Sequence, residues 1–530
     1  MHAPLLLAAL ALASGPFSLA APTPRASSAP SADASSVTTA TGVVLPLSRR
    51  AASGSALTRA DGTADLDGAL IHLDRARAKY TRGLANFRAN TGESHFLSPD
   101  MVDPSVLPPN TTAATFDVAI VDASIEADAN APAGQKQRRD KIFGESGIRL
   151  HGVPKDVSPP PAVVSRRGNR RALDLEKRVI RNPKVIPNPK YTKMQTASSS
   201  AQTGGVSLRN YGEGTIFYGG LKVGSNNQAF TVNIDTGSAD LWLPSVACNS
   251  AACNAHTKYD PSQSSTSSLV QGKTLNIRYG DGSSTVGTVY TDTVSIGGLS
   301  ASSQALGAAT GMSSDFQSDP YDGLLGMAYG SISTMGVPPL FETLVNQGRA
   351  AKPQFSTYLA GSGSELFLGG MNSGRFVAGS TRFYPVISQG YWTLAARAAV
   401  NQKNVGSLGT FNAVIDTGTS VIVAPTAAAQ QFWASVPNSA PYGSGGYWTY
   451  LCASPPKISF SFGSDFGQQW TVSPSALNLG RISTGSDRCV GAVVGADIGI
   501  NAWILGDTFL QSVYTTFDLG ANQVGFSALA

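Results

Sequence analysis

A five-residue motif occurs twice in the chain and constrains its fold more than any other feature. The copies are residues 234–238 (Ile-Asp-Thr-Gly-Ser) and residues 415–419 (Ile-Asp-Thr-Gly-Thr). About 90 residues after each aspartate, two apolar residues precede a glycine, Gly326 or Gly506. A single Asp-Thr-Gly usually marks an ordinary turn, because aspartate and glycine are turn residues in any protein. Two copies with matched downstream glycines indicate two homologous halves.

The part of the chain after Gly204 has the residue pattern of an all-β fold. Short apolar or alternating segments, among them residues 230–234 and 274–279, are separated by glycine-rich turns. Helical patterns are few and predict helices over residues 339–347 and 426–433, each beginning at or just after a proline. We therefore expect two β-lobes with a few short helices.

The histidines argue against several kinds of active site. The chain has five histidines, and one of them, His256, lies in the part that contains both motifs. A Ser-His-Asp triad, a Cys-His pair or a histidine-rich zinc site is therefore not expected. We predict no metal and no other cofactor.

With their downstream segments, the two motifs resemble those of the pepsin-like aspartic endopeptidases, in particular the fungal secreted type. The resemblance covers about residues 206–530. It implies the bilobal, all-β fold of that family, with an N-terminal lobe over about residues 205–372 and a C-terminal lobe over about residues 373–530. It also implies that Asp235 and Asp416, one from each lobe, face each other across a cleft as the catalytic pair.

Two carboxylates can hydrolyse a peptide bond without histidine, cysteine or metal. One carboxylate takes a proton from a water molecule while the other donates a proton to the carbonyl oxygen of the substrate. Like charges this close cannot both ionise cheaply, so the pair is expected to titrate in two coupled steps and to work at acidic pH. The sequence does not assign the shared proton to Asp235 or to Asp416.

Other motif residues are expected, by the same resemblance, to support the two carboxylates. The glycines let the backbone approach closely, the middle threonines cross-link the two loops, and the last hydroxyl of each motif binds its carboxylate. These residues are Thr236, Gly237, Ser238, Thr417, Gly418 and Thr419. Residues 321–329 and 503–509 match the segments that brace the catalytic loops, so Asp322 and Asp507 are interpreted as structural.

Residues 279–283 (Tyr-Gly-Asp-Gly-Ser) predict a hairpin turn, because Asp-Gly between alternating segments is a strong hairpin signal. They also resemble the mobile flap of the family, so Tyr279, Gly280 and Asp281 are expected to bind substrate. Tyr279 would pack toward Trp242 and close the cleft; the alternative is that both are ordinary core aromatics. Several fungal relatives carry aspartate at position 281 and accept lysine before the scissile bond. We therefore predict hydrophobic preference around that bond with some acceptance of lysine.

The chain contains four cysteines, all in its C-terminal part. An even number behind a signal sequence indicates disulfides, with free thiols or metal ligation as the alternative. Spacing alone leaves three pairings open. The resemblance favours Cys248–Cys253 and Cys452–Cys489, one bond in each lobe.

The N-terminal region predicts an exported precursor. Residues 1–20 contain an apolar stretch that ends in small residues, which indicates a signal peptide although a basic start is missing. No segment offers the ~18 apolar residues of a membrane-spanning helix, so no membrane anchor is expected. Residues 21–178 are predicted to be an activation propeptide and residues 179–530 the mature peptidase. We expect a secreted, extracellular protein, with vacuolar delivery as the alternative.

Within the propeptide, residues 66–90 carry apolar residues at helical spacing and predict an amphipathic helix. In related zymogens a lysine of the propeptide pairs with the catalytic carboxylates until low pH releases it. Here that lysine is Lys79 or Lys190, each followed by tyrosine; the alternative for either is a solvated surface lysine. Cleavage is expected after the dibasic pair at residues 177–178 or by self-cleavage near residues 200–206.

The expected partners are protein and peptide substrates, the propeptide itself as an inhibitor, and pepstatin-type inhibitors. A monomer is expected. The net charge of +5 arises from a basic excess concentrated between residues 136 and 193. That block lacks interleaved aromatic residues, so nucleic acid is not predicted as a partner.

Two other classes of function remain open at this point. A protein of the same fold can act as an inhibitor or binding module, although such proteins normally lose a catalytic aspartate and this chain keeps both. The start of the chain, rich in Ser, Thr and Pro, and the basic block also fit a structural protein associated with the cell wall or with nucleic acid. That protein would bind in a salt-dependent way.

Overall fold

The computed structural model describes residues 57–99, 204–212, 214–278 and 283–530. The predicted signal peptide, the dibasic pair at residues 177–178, Lys190 and residues 200–203 of the predicted self-cleavage region lie outside the described residues. In the part of the chain that the structure describes, no helix combines the length and apolar character needed to cross a membrane.

Strands dominate the described residues after Gly204, because apolar and polar residues alternate there between turns. In the strand that ends at Asp235, for example, Phe230, Val232 and Ile234 are buried at every second position. The predicted bilobal all-β class is confirmed. The strands are β1 Gly205–Tyr211, β2 Ile216–Val223, β3 Gln228–Asp235, β4 Leu241–Pro244, β5 Ser268–Arg278, β6 Ser284–Ile296, β7 Leu299–Met312, β8 Gly323–Gly326, β9 Gln354–Tyr358, β10 Glu365–Leu368, β11 Arg382–Pro385, β12 Thr393–Val400, β13 Lys403–Asn404, β14 Phe411–Ile415, β15 Ile422–Ala424, β16 Ala440–Tyr442, β17 Tyr447–Leu451, β18 Ile458–Phe462, β19 Gln469–Thr471, β20 Asn478–Arg481, β21 Arg488–Gly491, β22 Val493–Gly495, β23 Trp503–Leu505, β24 Tyr514–Asp518 and β25 Gln523–Ser527.

Most helices of the described residues are short. They are α1 Leu66–Thr91, α2 Ala251–Asn254, α3 Leu340–Asn346, α4 Thr426–Ala434, α5 Pro474–Leu477 and α6 Asp507–Leu510. The predictions of α1, α3 and α4 are confirmed within a residue or two. Helix α1 begins where the Asp65 side chain accepts a hydrogen bond from Gly68 N at 3.3 Å. It ends at Gly92, whose left-handed φ of 79° lets its N–H bond to Arg88 O.

The described strands form three sheets. One sheet has thirteen strands in the order β11, β25, β24, β9, β10, β1, β2, β3, β8, β4, β7, β6 and β5. An eight-stranded sheet contains β12 to β15, β18, β19, β22 and β23, and a four-stranded sheet contains β16, β17, β21 and β20. Strand β24, from the end of the chain, pairs with β9 from its first half, with Thr515 opposite Thr357. The largest sheet therefore joins both halves.

The repeat in the sequence is also a repeat in the structure. Strand β3 runs parallel to β8, which sets Asp235 opposite Gly326. Strand β14 runs parallel to β23 in the same way, with Ile415 opposite Leu505. Each motif thus lies at the end of a strand that its downstream apolar-apolar-glycine segment supports.

Two disulfides lie in the described part of the chain. Cys248 pairs with Cys253, five residues apart, and Cys452 pairs with Cys489, thirty-seven residues apart. The second bond joins the end of β17 to β21, which also pair as neighbouring strands. Both predicted pairings are confirmed.

Residues 57–99, here called the N-terminal segment, pack against the body of the fold. Leu73 and Tyr80 of α1 are buried in one apolar cluster with Tyr391 and Val421. Before the helix, Ala64 N donates to Arg481 O at 2.9 Å, which adds the segment to the edge of β20. The segment is therefore attached by apolar packing and by backbone hydrogen bonds.

Candidate active site

The two motif aspartates are buried and close together. Asp235 is the last residue of β3, and Asp416 directly follows β14; they are 2% and 0% exposed. A Cβ added to Gly237 would collide with the Asp416 carboxylate, and one added to Gly418 would collide with that of Asp235. Each loop therefore needs glycine where it passes the carboxylate of the other loop.

Each carboxylate accepts two hydrogen bonds from its own loop, one from the glycine N–H two residues on and one from the hydroxyl three residues on. The bonds run from Gly237 N and Ser238 Oγ to Asp235 at 2.9 and 2.6 Å, and from Gly418 N and Thr419 Oγ1 to Asp416 at 2.9 and 2.6 Å. Such bonds fix the plane of each carboxylate and favour its charged form.

The two middle threonines link the loops. Thr236 N donates to Thr417 Oγ1 at 3.1 Å, and Thr417 N donates to Thr236 Oγ1 at 3.0 Å. Each hydroxyl then donates across to the opposite strand, to Ile415 O at 3.0 Å and to Ile234 O at 2.8 Å. Four reciprocal bonds therefore hold the spacing between the two carboxylates.

Helix α1 places a lysine between the two aspartates. Lys79 Nζ lies 3.0 Å from Asp235 Oδ1 and 2.6 Å from Asp416 Oδ2, and the lysine is 6% exposed. The next residue, Tyr80, donates its hydroxyl to the same Asp416 oxygen at 2.8 Å. The sequence alone did not distinguish Lys79 from Lys190 as the lysine that pairs with the catalytic carboxylates. For Tyr80 it predicted only a place among the apolar residues of the amphipathic helix. The hydroxyl contact follows from the position of the helix, which no local pattern reveals.

Comparisons with known proteins agree with this geometry. The family model for eukaryotic aspartyl proteases matches residues 216–529, which is more than half of the chain. The chain belongs to this family.

Individual relatives agree with this assignment. The chain is 43% identical over 336 residues to an aspartic protease of Phaffia rhodozyma, covering 62% of this chain and 80% of the relative. It is 36% identical over 376 residues to pepsin A of Sus scrofa, covering 68% and 94%. Cathepsin E of Rattus norvegicus is 38% identical over 59% of this chain and 79% of its own length. The protein is an aspartic-type endopeptidase.

The pKa values around the dyad are set by burial and by the lysine. Burial alone would lower the pKa of Lys79, but the charges of Asp235 and Asp416 outweigh it and raise that pKa. Burial alone would raise the pKa of Asp416, but the nearby ammonium and the hydrogen bonds lower it. Burial raises the pKa of Asp235, and the charge of Asp416 adds to this rise against the opposing effect of Lys79. The two equivalent loops thus hold their carboxylates in unequal surroundings, because the Lys79 ammonium lies closer to Asp416 than to Asp235.

Helix α1 contacts the N-terminal half of the body through residues that follow Lys79. Arg82 donates to Arg278 O, at the end of β5, at 2.8 Å. One turn later Asn86 Nδ2 donates to Ile332 O at 3.1 Å and to Thr334 Oγ1 at 3.0 Å. The helix therefore lies beside the two motif aspartates.

The residues predicted to form the flap lie only partly within the structure. Tyr279, Gly280 and Asp281 fall outside the described residues, whereas the strands on either side, β5 and β6, pair up to Arg278 opposite Ser284. Trp242 is buried, packs edge-on against Phe316 at 5.6 Å, and its Nε1 has no hydrogen-bond acceptor among the described residues.

Asp322 and Asp507 lie in the segments that support the two motif loops. Asp322 accepts hydrogen bonds from Thr231 N and Thr257 N, both at 2.8 Å, and so holds β3 to a neighbouring turn. Asp507 is buried at the start of α6, and its N–H donates to Thr419 O at 2.8 Å. Burial raises the pKa of Asp507 well above its ordinary value, and the charge of Asp416 adds to this. Among the described residues, no group of three or more His, Cys, Asp and Glu side chains is arranged to hold a metal ion.

Proposed function

We propose that this endopeptidase is made as an inactive zymogen and that Asp235 and Asp416 are its catalytic residues. The observation that carries the proposal is the Lys79 ammonium, which bridges the two carboxylates at 3.0 and 2.6 Å. In this proposal residues 21–178 are the propeptide, and the N-terminal segment is its inhibitory part. The active enzyme requires that segment to leave the cleft.

Once the lysine has left, a water molecule takes its place between the carboxylates. One carboxylate accepts a proton from this water as its oxygen attacks the peptide carbonyl, and the other donates a proton to the carbonyl oxygen. The linked threonines keep the carboxylates at a fixed spacing, and the loop hydroxyls keep them oriented. Because the carboxylates are coupled, the proton belongs to the pair, and the enzyme works at acidic pH.

Acid also weakens the inhibitory contact. The pKa of Asp416 is lowered in the inhibited state by the Lys79 ammonium and by hydrogen bonds, against the effect of burial. A lowered carboxyl pKa stabilises the contact above the ordinary value of 3.8, and this stabilisation is lost as the pH falls below it. This pH dependence therefore favours a latent protein near neutral pH and release of the N-terminal segment in strong acid.

The proposed substrates are proteins and peptides with hydrophobic residues around the scissile bond. Tyr279, Gly280 and Asp281 act as the flap that closes over the substrate, with Tyr279 facing Trp242. Trp242 Nε1 has no hydrogen-bond acceptor among the described residues, and this supports Tyr279 as the residue that provides one. Asp281 accounts for acceptance of lysine before the scissile bond, because its carboxylate can pair with the ammonium.

Secretion, a monomeric state and inhibition by pepstatin-type compounds complete the proposal. Secretion rests on the apolar residues 1–20, and the two disulfides support an oxidising compartment such as the extracellular space. Vacuolar delivery is the alternative route for a protein with the same signals.

The test is acid treatment of the purified full chain, followed by hydrolysis of a denatured protein with and without pepstatin. Asp235→Asn and Asp416→Asn each keep the side-chain shape but remove a carboxylate. We expect each to abolish chain processing and to lower hydrolysis by at least about 1000-fold, since neither half of the acid–base pair works alone. Asp465→Asn makes the same change at an exposed residue and should keep full activity.

Two outcomes would contradict the proposal. Pepstatin-sensitive hydrolysis by either dyad variant would assign the chemistry to other residues. A folded wild-type chain that stays inactive after its N-terminal segment is removed would favour the binding-module alternative.

A further inference from the structure

Two histidines lie between the N-terminal segment and the body, and the chemistry proposed above uses neither. His72 lies in the first half of α1, and His95 lies four residues after its last residue. His95 is 1% exposed, whereas His72 is partly exposed. In the part of the chain that the structure describes, no carboxylate forms an ion pair with either ring. Both rings are therefore held without a negative partner.

The hydrogen bonds of His95 determine which ring nitrogen carries the proton. Leu97 N donates to Nδ1 at 3.2 Å, so Nδ1 must be the unprotonated acceptor. Nε2 lies 3.1 Å from Gln389 O and 3.2 Å from Ser388 Oγ, so Nε2 carries the proton and donates it to the carbonyl. Adding a proton to Nδ1 would set two donors against each other and break the bond to Leu97.

The surroundings of His95 are aromatic. Phe87 and Tyr391 pack edge-on against the ring at 4.7 and 5.6 Å, and Phe96 lies 5.2 Å away. The titratable side chain that packs against His95 from the body is Tyr391, whose hydroxyl donates to Tyr80 O at 3.3 Å. On the segment itself, the nearest carboxylate in sequence is the exposed Glu93. Burial lowers the pKa of His95 from 6.5 to about 4, although the bond to Gln389 O opposes this. The site accepts a neutral imidazole and disfavours a charged one.

This histidine also belongs to the attachment at the C-terminal end of the segment. Leu97 is fully buried in the same apolar cluster as Tyr391, and its carbonyl accepts from Asn501 N at 3.1 Å. A side chain on Gly390 would collide with the imidazole, so the body leaves room for this ring. Loss of the His95–Leu97 turn would release the buried leucine together with the ring.

His72 contacts the body at the other end of the helix. Ser420 Oγ donates to Thr215 O at 2.7 Å and lies 3.3 Å from His72 Nδ1, so it accepts from that nitrogen. Burial lowers the pKa of His72 to about 4, and the charge of Arg75 on the same helix adds to this. The pKa of His72 is thus lowered as far as that of His95, so a charge is disfavoured at both rings.

We propose that His95 is an acid sensor: its protonation detaches the C-terminal end of the N-terminal segment and so begins its release from the cleft. This inference rests on the proposed zymogen, and it adds a switch that acts at higher pH than the contact of Lys79 with Asp416. A histidine pKa lowered in the attached state stabilises attachment above 6.5, and that stabilisation is lost as the pH falls toward about 4. The contact of Lys79 with Asp416 weakens only below 3.8.

The expected size of the effect follows from the two pKa values. For a shift from 6.5 to about 4, attachment weakens roughly 100-fold between pH 7 and pH 4. His72, whose pKa is lowered to the same value, should add a factor of similar size in the same direction. The two histidines lie at opposite ends of the contact, so their effects should add.

The experiment uses the full chain with Asp235→Asn, which prevents self-cleavage and keeps the nearer contact of Lys79 with Asp416. Amide hydrogen exchange of residues 66–98 is followed from pH 7 to pH 4, corrected for the intrinsic exchange rate at each pH. His95→Asn is the test variant, since asparagine can still accept from Leu97 N two residues on but does not titrate. We expect the ratio of protection at pH 7 to protection at pH 4 to be roughly 100-fold smaller in this variant. His72→Asn should reduce the ratio by a similar factor.

His256→Asn is the matched control, because this histidine lies in the body of the fold and its ring contacts Phe316 O and Asp322. It should leave the ratio unchanged. If His95→Asn loses protection already at pH 7, the imidazole pKa of His95 is measured instead by NMR in the parent protein. A pKa well below 6.5 supports the sensor, and a pKa at or above 6.5 overturns it. The sensor is also overturned if the His95→Asn chain is well protected at pH 7 and its protection ratio is unchanged. Activity of the uncleaved wild-type chain at neutral pH would instead overturn the proposed zymogen.

Discussion

The contact between Lys79 and the dyad allows a sharp test of latency, through the change Lys79→Met. Methionine has nearly the volume of the lysine stem, so the helix face keeps its packing while the ammonium is lost. In the structure this ammonium is the group that reaches both Asp235 and Asp416, at 3.0 and 2.6 Å, and it is almost fully buried. Nothing else is changed at the contact, since Tyr80 keeps its own hydrogen bond to Asp416.

The magnitude follows from removing one partner of a buried ion pair. Breaking such a pair destabilises the contact by about 3–5 kcal/mol, because a charge is left without its partner. Here the two carboxylates can share a proton at mildly acidic pH, which removes much of the unpaired charge, so the lower end of the range applies. About 3 kcal/mol corresponds to roughly a 100-fold increase in the fraction of chains with an open cleft.

The assay is the initial rate of hydrolysis of an internally quenched peptide at pH 6, before the chain is processed. Gel analysis of samples from the same minutes shows whether the chain is intact. We expect intact Lys79→Met to be roughly 100-fold more active than intact wild type. Lys190→Met, the other Lys-Tyr candidate in the sequence, is the control and should remain latent.

An intact Lys79→Met chain that is as latent as wild type would refute the role of the Lys79 ion pair in latency. Latency would then depend on the helix blocking the cleft sterically, and the ion pair would be incidental. Equal activation by the Lys190 variant would also refute it, since that result would assign the inhibitory charge to a different part of the propeptide.

Two further predictions concern specificity and stability. Asp281→Thr should lower kcat/KM about 10-fold for a substrate with lysine before the scissile bond and spare one with phenylalanine there, because only lysine loses a charge-assisted bond; equal losses on both substrates would exclude this role. Replacing Cys452 and Cys489 by alanine should lower the free energy of unfolding by roughly 4 kcal/mol. Replacing Cys248 and Cys253 should lower it by roughly 2 kcal/mol, because that disulfide closes a shorter loop. Denaturant unfolding of the mature enzyme measures both, and the reverse order would contradict the loop argument.

The sequence predicts the features that repeat or that depend on local spacing. The duplicated Asp-Thr-Gly and its downstream glycine predict two equivalent halves, and the structure pairs β3 with β8 and β14 with β23 accordingly. Helix α1 is predicted because its apolar residues recur every three or four positions. The disulfide pairing needed the family resemblance, since spacing alone left three solutions.

Other features depend on contacts between distant residues, so no local pattern reveals them. Lys79 and Lys190 have the same neighbour, and only the docking of α1 shows that Lys79 reaches the dyad. His95 lies outside the helical repeat, and its role depends on Leu97 and on a carbonyl at Gln389, almost 300 positions away. The pairing of β24 with β9 across the two halves cannot be predicted from the sequence either, because strand partners far apart in sequence leave no periodic signal.

The position of Lys79 in the middle of α1 explains why the ends of that helix matter for the dyad. A helix of 26 residues is about 39 Å long and moves largely as one body. Its N-terminal end is held by the bond of Ala64 to Arg481, and its C-terminal end by His95 and Leu97. Because the ammonium must stay within hydrogen-bond distance of two fixed carboxylates, a tilt that starts at either end also lengthens the contacts at the middle. In the proposed switch, a charge on the His95 imidazole therefore weakens the ion pair of Lys79 with Asp416 at a pH above the range in which Asp416 itself is protonated.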